Sequence, residues 1–343
     1  MKILFGGYTS HDSKGIYQGE IDLNSQTPEV TNVQNIIEIQ RPTYFQVDQD
    51  RDLLFSIDQP DSENAGIASF HKNAGKYTEV STYLHPGAAP CYVGINTKKQ
   101  LLYTANYHLG TANVFSYDDQ GNIKFIASTK HTGKGPRPEQ DSAHIHYFDQ
   151  TPAGHLVTCD LGTDSVDFYD LKDDQLVHLA QYQMEKGFGT RHITFSPDGK
   201  LMFIVGELSS QVNVAKLNED TWEFESIATY KTIPEDFKEH NGAAAILISK
   251  DGKFIYVTNR GNDSIAVFRV LADGHLDLVQ RISVFGSFPR DFNWDPSQTY
   301  LVAANQNTNN ATLYRRNSKD GTLTPIQKNI LVPEATRVLF TEK

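Results

Sequence analysis

The sequence is poor in cysteine and contains no long apolar segment. Its 343 residues include only Cys91 and Cys159, which lie far apart and match no metal-binding or redox spacing. Two cysteines cannot build a disulfide framework for a chain of this length, so we expect a reducing compartment and a cytoplasmic location. The opening residues, MKILFGGYTS, lack the apolar core of a signal peptide. No stretch of about 18 apolar residues is present, so we expect no membrane partner.

Positive charge is also scarce. The 31 Lys and Arg residues are outnumbered by 42 Asp and Glu residues, which gives a formal net charge of −11. Nucleic-acid binding requires a basic face, so this balance argues against a nucleic-acid partner. Any anionic substrate would need a local patch of positive charge. The sequence also lacks a serine nucleophile elbow, a P-loop and a dinucleotide-binding glycine pattern.

Long helical periodicity is absent, and alternation typical of β-strands dominates. Six segments share one plan: an apolar strand, a turn, a second apolar strand ending in a polar residue, and then a third strand. They are YFQVDQDRDLLFSID (44–58), CYVGINTKKQLLYTAN (91–106), HIHYFDQTPAGHLVTCD (144–160), RHITFSPDGKLMFIVGE (191–207), AAILISKDGKFIYVTN (244–259) and RDFNWDPSQTYLVAAN (290–305). Their starts are 46 to 53 residues apart, a period that indicates the blades of a β-propeller.

The two chain ends supply the missing strands of one more unit. The C-terminal TRVLF (336–340) reads as a first strand, and KILFGGY (2–8) and GIYQGEID (15–22) read as the second and third strands. Joining both ends in one sheet closes the ring and removes exposed sheet edges. The sequence therefore predicts an all-β, seven-bladed β-propeller that forms a single domain over residues 1–343.

Hairpin arithmetic predicts which residues meet at the ends of the strands. With the turn at Asp198 and Gly199, Arg191 lies opposite position 206 or 207, so Arg191 and Glu207 should share one end of a blade. The same arithmetic predicts that Tyr44 faces Asp58, Cys91 faces Asn106, His144 faces Asp160, Ala244 faces Asn259 and Arg290 faces Asn305. All of these ends should share one face of the ring, near the mouth of the channel.

Arginine is concentrated at that predicted face. Of eleven arginines, Arg41, Arg191, Arg260 and Arg290 fall there, whereas lysines gather at the opposite turns. Arginine forks bind carboxylates and phosphates bidentately, which indicates a small anionic ligand as partner. The plainer interpretation of Arg191 and Glu207, a cross-strand ion pair that only stabilises a blade, stays open. The polar residues that end the second strands, including Asn259 and Asn305, are also compatible with a structural role, in which they cap a turn or tie adjacent blades by hydrogen bonds.

Two histidines alternate along one predicted strand. His144 and His146 would share a strand face and could ligate a metal, but no third ligand stands out, so no metal site is predicted. His192 and His240 are further candidates by location only. The preceding loop, GKGPRPEQDSAHIH (133–146), is long and rich in glycine, proline and polar residues, which is typical of loops that carry function.

Three stretches together resemble the seven-bladed propeller lactonase family. They are GPRPEQDSAHIH, RHITFSPDGK…GELSSQV and DGKFIYVTNRGNDSIAVF followed by FPRDFNWDPSQTYLVAANQ. That family includes bacterial propeller-type 6-phosphogluconolactonases and fungal 3-carboxy-cis,cis-muconate lactonizing enzymes. The likeness covers essentially the whole chain, and residues 133–306 are its most specific part.

The resemblance implies an active site of one histidine, two arginines and one glutamate. The histidine falls on His144, with Ala143 where the family usually has proline, and the arginine and glutamate fall on Arg191 and Glu207. The second arginine falls on Arg260, with Arg290 as the competing match. The family often has arginine before the glutamine of its loop, where this chain has Glu139 before Gln140.

The resemblance further implies hydrolysis of a sugar lactone, 6-phosphoglucono-1,5-lactone, without a cofactor. Glu207 would act as general base, Arg191 would hold it ionised, and His144 would donate to the departing ring oxygen. Arg260 or Arg290 would hold the phosphate or the developing charge. The remaining residues expected to bind substrate are His146, His192, Asn259 and Asn305. Two other interpretations stay open: a cycloisomerase acting on a muconate-like dicarboxylate, and a binding propeller without catalysis.

Overall fold

The computed structural model describes residues 1–342, which form seven antiparallel sheets of four strands each. The sheets are the blades of a seven-bladed β-propeller, so the predicted fold class is confirmed. Each blade has one strand more than the sequence predicted. The outermost strands alternate exposed and half-buried residues, as in β7 (Lys76–Pro86), and therefore lack the apolar run that marks the inner strands.

The strands follow one order in every blade. The innermost strands of blades 1 to 7 are β28 (Ala335–Thr341), β4 (Phe45–Asp48), β8 (Tyr92–Asn96), β12 (Ile145–Gln150), β16 (Thr190–Phe195), β20 (Gly242–Ile248) and β24 (Pro289–Trp294). The second strands are β1 (Lys2–Gly7), β5 (Leu53–Asp58), β9 (Leu101–Asn106), β13 (Leu156–Asp160), β17 (Leu201–Gly206), β21 (Phe254–Arg260) and β25 (Tyr300–Asn305).

The third strands are β2 (Gly15–Ile21), β6 (Asn64–Asn73), β10 (Thr111–Tyr117), β14 (Ser165–Lys172), β18 (Gln211–Asn218), β22 (Ser264–Val270) and β26 (Asn310–Arg316). The outermost strands are β3 (Val30–Glu38), β7, β11 (Ile123–Lys130), β15 (Gln175–Gln183), β19 (Glu223–Lys231), β23 (Leu276–Ser283) and β27 (Leu323–Leu331). Two short 3₁₀ turns, Pro138–Gln140 and Gln306–Thr308, complete the described elements. Within residues 1–342, no helix has the length and apolarity needed to cross a membrane.

Blade 1 is assembled from both ends of the chain, as predicted. Strand β1 pairs with β28 on one side and with β2 on the other, and Phe5 lies opposite Val338 in the terminal pair. The ring is therefore closed by backbone hydrogen bonds between residues more than 300 positions apart. Because closure joins the first and last strands, side chains from both termini reach the same face of the channel.

The core is divided among the interfaces between blades. Residues 1–342 contain seven clusters of buried apolar side chains, and each cluster joins two neighbouring blades. One of them packs Ile3 and Phe5 of blade 1 against Val302 and Leu313 of blade 7. Both faces of each inner sheet are consequently buried, which explains why strands such as LMFIVG are apolar throughout rather than alternating.

Bulges in three innermost strands set the direction of the side chains that carry the site. The regular pairing of β16 with β17 skips Arg191, which is the extra residue of a bulge. His146 occupies the same place in β12, and Arg290 occupies it in β24. A bulge bends its strand and re-aims the extra side chain. All three side chains line one narrow space within the channel.

Four predicted cross-strand partners were wrong by one residue, and bulges explain two of these errors. Equal-sum arithmetic assumes an unbroken ladder, and the extra residue shifts the sum by one. For this reason Asn259 pairs with Ala243 rather than Ala244, and Asn305 pairs with Pro289 rather than Arg290. Asp160 pairs with Ile145 rather than His144, and Tyr44 lies opposite Ile57 rather than Asp58, because the registers of these two hairpins differ from the predicted ones.

Candidate active site

A cleft of about 340 Å³ opens on the face of the ring where the second strands end. Arg41, Arg260 and Arg290 line it, and Arg191 lines the narrow space that adjoins it inside the channel. The four arginines that the sequence assigned to this face therefore come together. They bring four positive charges to one opening of a protein whose formal net charge is −11.

Glu207 follows β17 directly and bridges two of these arginines. Its Oε2 atom lies 2.9 Å from Nε of Arg191, and its Oε1 atom lies 2.8 Å from Nη2 of Arg260. The prediction that Arg191 and Glu207 meet is thus confirmed. The side chain of Glu207 is 21% exposed, while that of Arg191 is 2% exposed. The carboxylate reaches the cleft, and the guanidinium of Arg191 stands behind it.

Arg260 is held in one orientation by its surroundings. Its Nε atom donates to the carbonyl oxygen of Gly242 at 3.1 Å. Its guanidinium also lies 5.1 Å from the centre of the Phe288 ring, within the range of a cation–π contact. With these contacts and the ion pair to Glu207, the guanidinium has little freedom to move. Such a fixed donor needs no reorganisation when negative charge develops near it.

The charges of this group shape its protonation. Burial alone would raise the pKa of Glu207, but Arg260 and Arg191 outweigh burial and hold that pKa below its ordinary value. Burial, with repulsion from Arg260, lowers the pKa of Arg191 to about 9. At neutral pH the Glu207 carboxylate is therefore ionised and the Arg191 guanidinium is charged. Nη1 of Arg191 is buried and has no hydrogen-bond partner among the described residues, whereas buried donors normally have one.

His146 lines the cleft, and His192 lies next to it inside the channel. Nδ1 of His146 and Nε2 of His192 are 3.2 Å apart, so one ring donates a hydrogen bond to the other. Burial, followed by the charge of Arg191, lowers the pKa of both imidazoles well below the usual value. Both rings are consequently neutral at pH 7. Within residues 1–342, no three His, Cys, Asp or Glu side chains are close enough together to hold a metal ion.

His144 points elsewhere. Its ring stacks on that of Tyr107, with the ring centres 4.2 Å apart and the planes 5° from parallel. Nδ1 is 2.9 Å from the carbonyl oxygen of Tyr107, and Nε2 is 2.9 Å from Oδ1 of Asp141. Tyr107 lines the cleft, so His144 borders the site through Tyr107 while both of its nitrogens bond to neighbouring protein groups.

Asn259 and Asn305 tie strands to loops and do not line the cleft. The Asn259 side chain is fully buried, and its Oδ1 accepts a hydrogen bond of 2.6 Å from Oγ1 of Thr232. Nδ2 of Asn305 donates to the carbonyl oxygen of Val284 at 3.0 Å. Both contacts join the end of a second strand to the segment that follows the outermost strand of the preceding blade. The contacts match the structural interpretation that the sequence left open.

The loop 133–146 is fixed to the strand that carries Arg191. Gln140 is fully buried, and its Nε2 atom donates to Oδ1 of Asp164 at 2.7 Å. The same Oδ1 accepts a 2.7 Å bond from the backbone of Gly189, two residues before Arg191. Asp164 accepts hydrogen bonds from both segments, and the sequence analysis did not single it out, because an aspartate in a turn does not indicate hydrogen bonds to distant residues. It links the loop to the position of the buried arginine.

Several further cleft residues were also missed. Tyr8, Gln59, Cys91 and Tyr107 line the opening together with the arginines. Burial raises the pKa of the Cys91 thiol to about 11, so the sulfur is neutral at physiological pH. These residues come from loops after different strands, and only their shared position just beyond strand ends could have marked them.

The family model described as "Lactonase, 7-bladed beta-propeller" matches residues 2–340. Among curated proteins, a 6-phosphogluconolactonase from Bacillus subtilis is 36% identical over 340 residues, which is 98% of this chain and 97% of that protein. Among solved structures, a protein from Lactobacillus plantarum is 46% identical with a TM-score of 0.95, covering 99% of both chains. A periplasmic gluconolactonase from Pseudomonas aeruginosa is 26% identical with a TM-score of 0.85, covering 98% of both chains. The chain therefore belongs to the seven-bladed β-propeller lactonase family.

Proposed function

We propose that this chain hydrolyses the ring ester of a sugar lactone, with 6-phosphoglucono-1,5-lactone as its substrate. Membership of the lactonase family supports the reaction class. The Bacillus subtilis relative, named 6-phosphogluconolactonase, supports the substrate. The observation that carries the proposal is the placement of an ionised Glu207 between Arg191 and Arg260 at the wall of an arginine-lined cleft.

The reaction requires a water molecule to attack the carbonyl carbon of the lactone. In our proposal, Glu207 accepts a proton from this water as its oxygen bonds to the carbonyl carbon. The carbonyl oxygen becomes an oxyanion, which Arg191 and Arg260 stabilise. When the ring carbon–oxygen bond breaks, Glu207 returns the proton to the departing ring oxygen. The product is an open-chain acid, and the carboxylate ends the cycle ionised.

The two histidines receive different roles from those implied by the resemblance. His146 lines the cleft and keeps Nε2 available, because its Nδ1 pairs with His192. His144 instead has both ring nitrogens bonded to the Tyr107 carbonyl and Asp141. We therefore assign to His146 a hydrogen bond to the departing oxygen. We assign to His144 the support of Tyr107.

The lowered pKa of Glu207 limits how much proton transfer can contribute. A carboxylate with a depressed pKa is a weak base, and general-base efficiency rises with basicity. Most of the acceleration must then come from the fixed guanidiniums, where loss of one donor typically costs about 10²–10³ in rate. A sugar lactone suits such a site because this ester hydrolyses readily even without an enzyme.

The test compares Glu207→Gln with the wild type, using 6-phosphoglucono-1,5-lactone and measuring acid release. Spontaneous hydrolysis is subtracted. We expect kcat to fall by roughly 10²-fold, the lower end for general bases, because the base is weak. Glu225→Gln is the matched control, since Glu225 is exposed and forms its ion pair with Lys216 on the surface. Near-normal turnover of Glu207→Gln would remove the base assignment. Wild-type turnover no faster than the spontaneous rate, with turnover of a muconate-type dicarboxylate, would replace the proposed function.

A further inference from the structure

Two arginines of the cleft have no carboxylate partner within residues 1–342. Arg41 and Arg290 both lie over the ring of Tyr8, at 5.9 Å and 5.7 Å from its centre. Nη1 of Arg290 donates to the Tyr8 hydroxyl at 3.1 Å, and Nη1 of Arg41 donates to Oε1 of Gln59 at 3.2 Å. These bonds orient both guanidiniums, and their acceptors, a hydroxyl and an amide oxygen, carry no negative charge. By contrast, Arg191 and Arg260 share the charge of Glu207.

The three side chains come from separate parts of the chain. Tyr8 follows β1, Arg41 lies between β3 and β4, and Arg290 is the bulge residue of β24. Arg41 also has a left-handed backbone, with φ of +50°, which is unusual for a residue other than glycine. Its backbone N–H donates to Oγ1 of Thr9, the neighbour of Tyr8. The terminal loop and the loop between blades 1 and 2 therefore hold Arg41 in place together.

We propose that Arg41, Arg290 and the hydroxyl of Tyr8 form a phosphoryl subsite that selects phosphorylated lactones over unphosphorylated ones. This inference rests on the proposed lactonase function. A phosphoryl group carries up to two negative charges and three acceptor oxygens, which matches two guanidinium forks and a hydroxyl. The Tyr8 oxygen accepts from Arg290, so its own proton can be donated to the ligand.

A carboxylate fits this arrangement less well. It has a single negative charge and two oxygens, and one arginine fork satisfies both. The subsite offers two forks with no internal anion, so a monoanion would leave one guanidinium unneutralised. The same chemistry would hold free inorganic phosphate, which provides a probe of the subsite that does not depend on catalysis.

The test measures kcat/KM for 6-phosphoglucono-1,5-lactone and for glucono-1,5-lactone, and takes their ratio as the specificity. In Arg41→Gln, we expect this ratio to fall roughly 10- to 100-fold, through a higher KM for the phosphorylated lactone, because a charge-assisted bidentate contact is lost. Arg41→Lys keeps the charge but not the fork and should fall between. Arg315→Gln is the matched control, because Arg315 is exposed and lies 5.8 Å over Tyr300 at the opposite end of its blade.

A parallel measurement follows the thermal shift caused by inorganic phosphate in the same proteins. Arg41→Gln should show a smaller shift than the wild type and Arg315→Gln. A specificity ratio near one in the wild type, or a ratio unchanged in Arg41→Gln, would overturn the subsite while leaving the lactonase function intact. Hydrolysis of neither lactone, with an Arg41-dependent phosphate shift, would overturn the proposed function and retain the subsite.

Discussion

Replacing Glu207 with glutamine should destabilise the folded protein as well as slow the reaction. In the wild type, one carboxylate forms ion pairs with two guanidiniums, of which Arg191 is 2% exposed and Arg260 is 7% exposed. The substitution keeps the shape of the side chain and removes the charge. Arg191 and Arg260 would then repel each other in a poorly solvated space with no anion between them. Breaking a buried ion pair by removing one partner typically costs about 3–5 kcal/mol.

The partial exposure of Glu207 places the expected loss at the lower end, about 3 kcal/mol. Unfolding entropy averages about 2.1 cal/mol/K per residue, so this chain has an entropy of about 0.7 kcal/mol/K at its melting temperature. The loss therefore corresponds to a decrease of about 4 °C in Tm. An anion that binds between the two guanidiniums should reverse this decrease in Tm. Phosphate at about a hundred times its dissociation constant adds roughly 2.7 kcal/mol.

The assay is a thermal melt of the wild type, Glu207→Gln and the Glu225→Gln control, in phosphate-free buffer and then with added phosphate. Glu225 pairs with Lys216 on an exposed surface, so its loss should cost about 0–1 kcal/mol. The variant should gain more stability from phosphate than the wild type does. A Glu207→Gln variant with the Tm of the wild type, and with no larger increase in Tm on addition of phosphate, would refute a stabilising role for the two ion pairs of Glu207.

Three further predictions concern the same site. First, the lowered pKa of Glu207 means that its ion pairs contribute stability above the ordinary glutamate pKa and lose it only as pH falls through the lower folded value. With glucono-1,5-lactone, which has no phosphate group that titrates at about pH 6, kcat/KM should stay level from neutral pH down to about 5, and an acidic limb at about pH 6 would contradict this. Second, His146→Gln should lower kcat more than His144→Gln does, because of the two histidines only His146 lines the cleft. Single-turnover rates compare the two variants, and a larger loss in His144→Gln would restore His144 as the donor to the departing ring oxygen. Third, Gln140→Ala should lower the free energy of unfolding by about 1–3 kcal/mol, because Asp164 and the Leu161 carbonyl each lose a hydrogen-bond donor. Denaturant unfolding compared with the exposed-site control Glu139→Gln measures this loss, and equal midpoints would show that other contacts hold the loop.

The amino-acid sequence by itself determined the architecture. The apolar strands recur every 46 to 53 residues, and fragments at both ends complete one more unit. These patterns are local, because each hairpin is specified by its own apolar runs and turn. They were sufficient to predict the number of blades, the blade that the two termini share, and the contact between Arg191 and Glu207 across one hairpin.

Only the tertiary structure decided which side chains enter the cleft. No residue type marks the bulges at His146, Arg191 and Arg290 in the sequence. Each bulge shifts the cross-strand register at the end of its strand by one residue. A single shift reverses the direction of a side chain, so His146 lines the opening while His144 stacks on Tyr107. Tyr8 and Arg41 meet Arg290 because the ring closes, and closure depends on packing between blades that no single segment encodes.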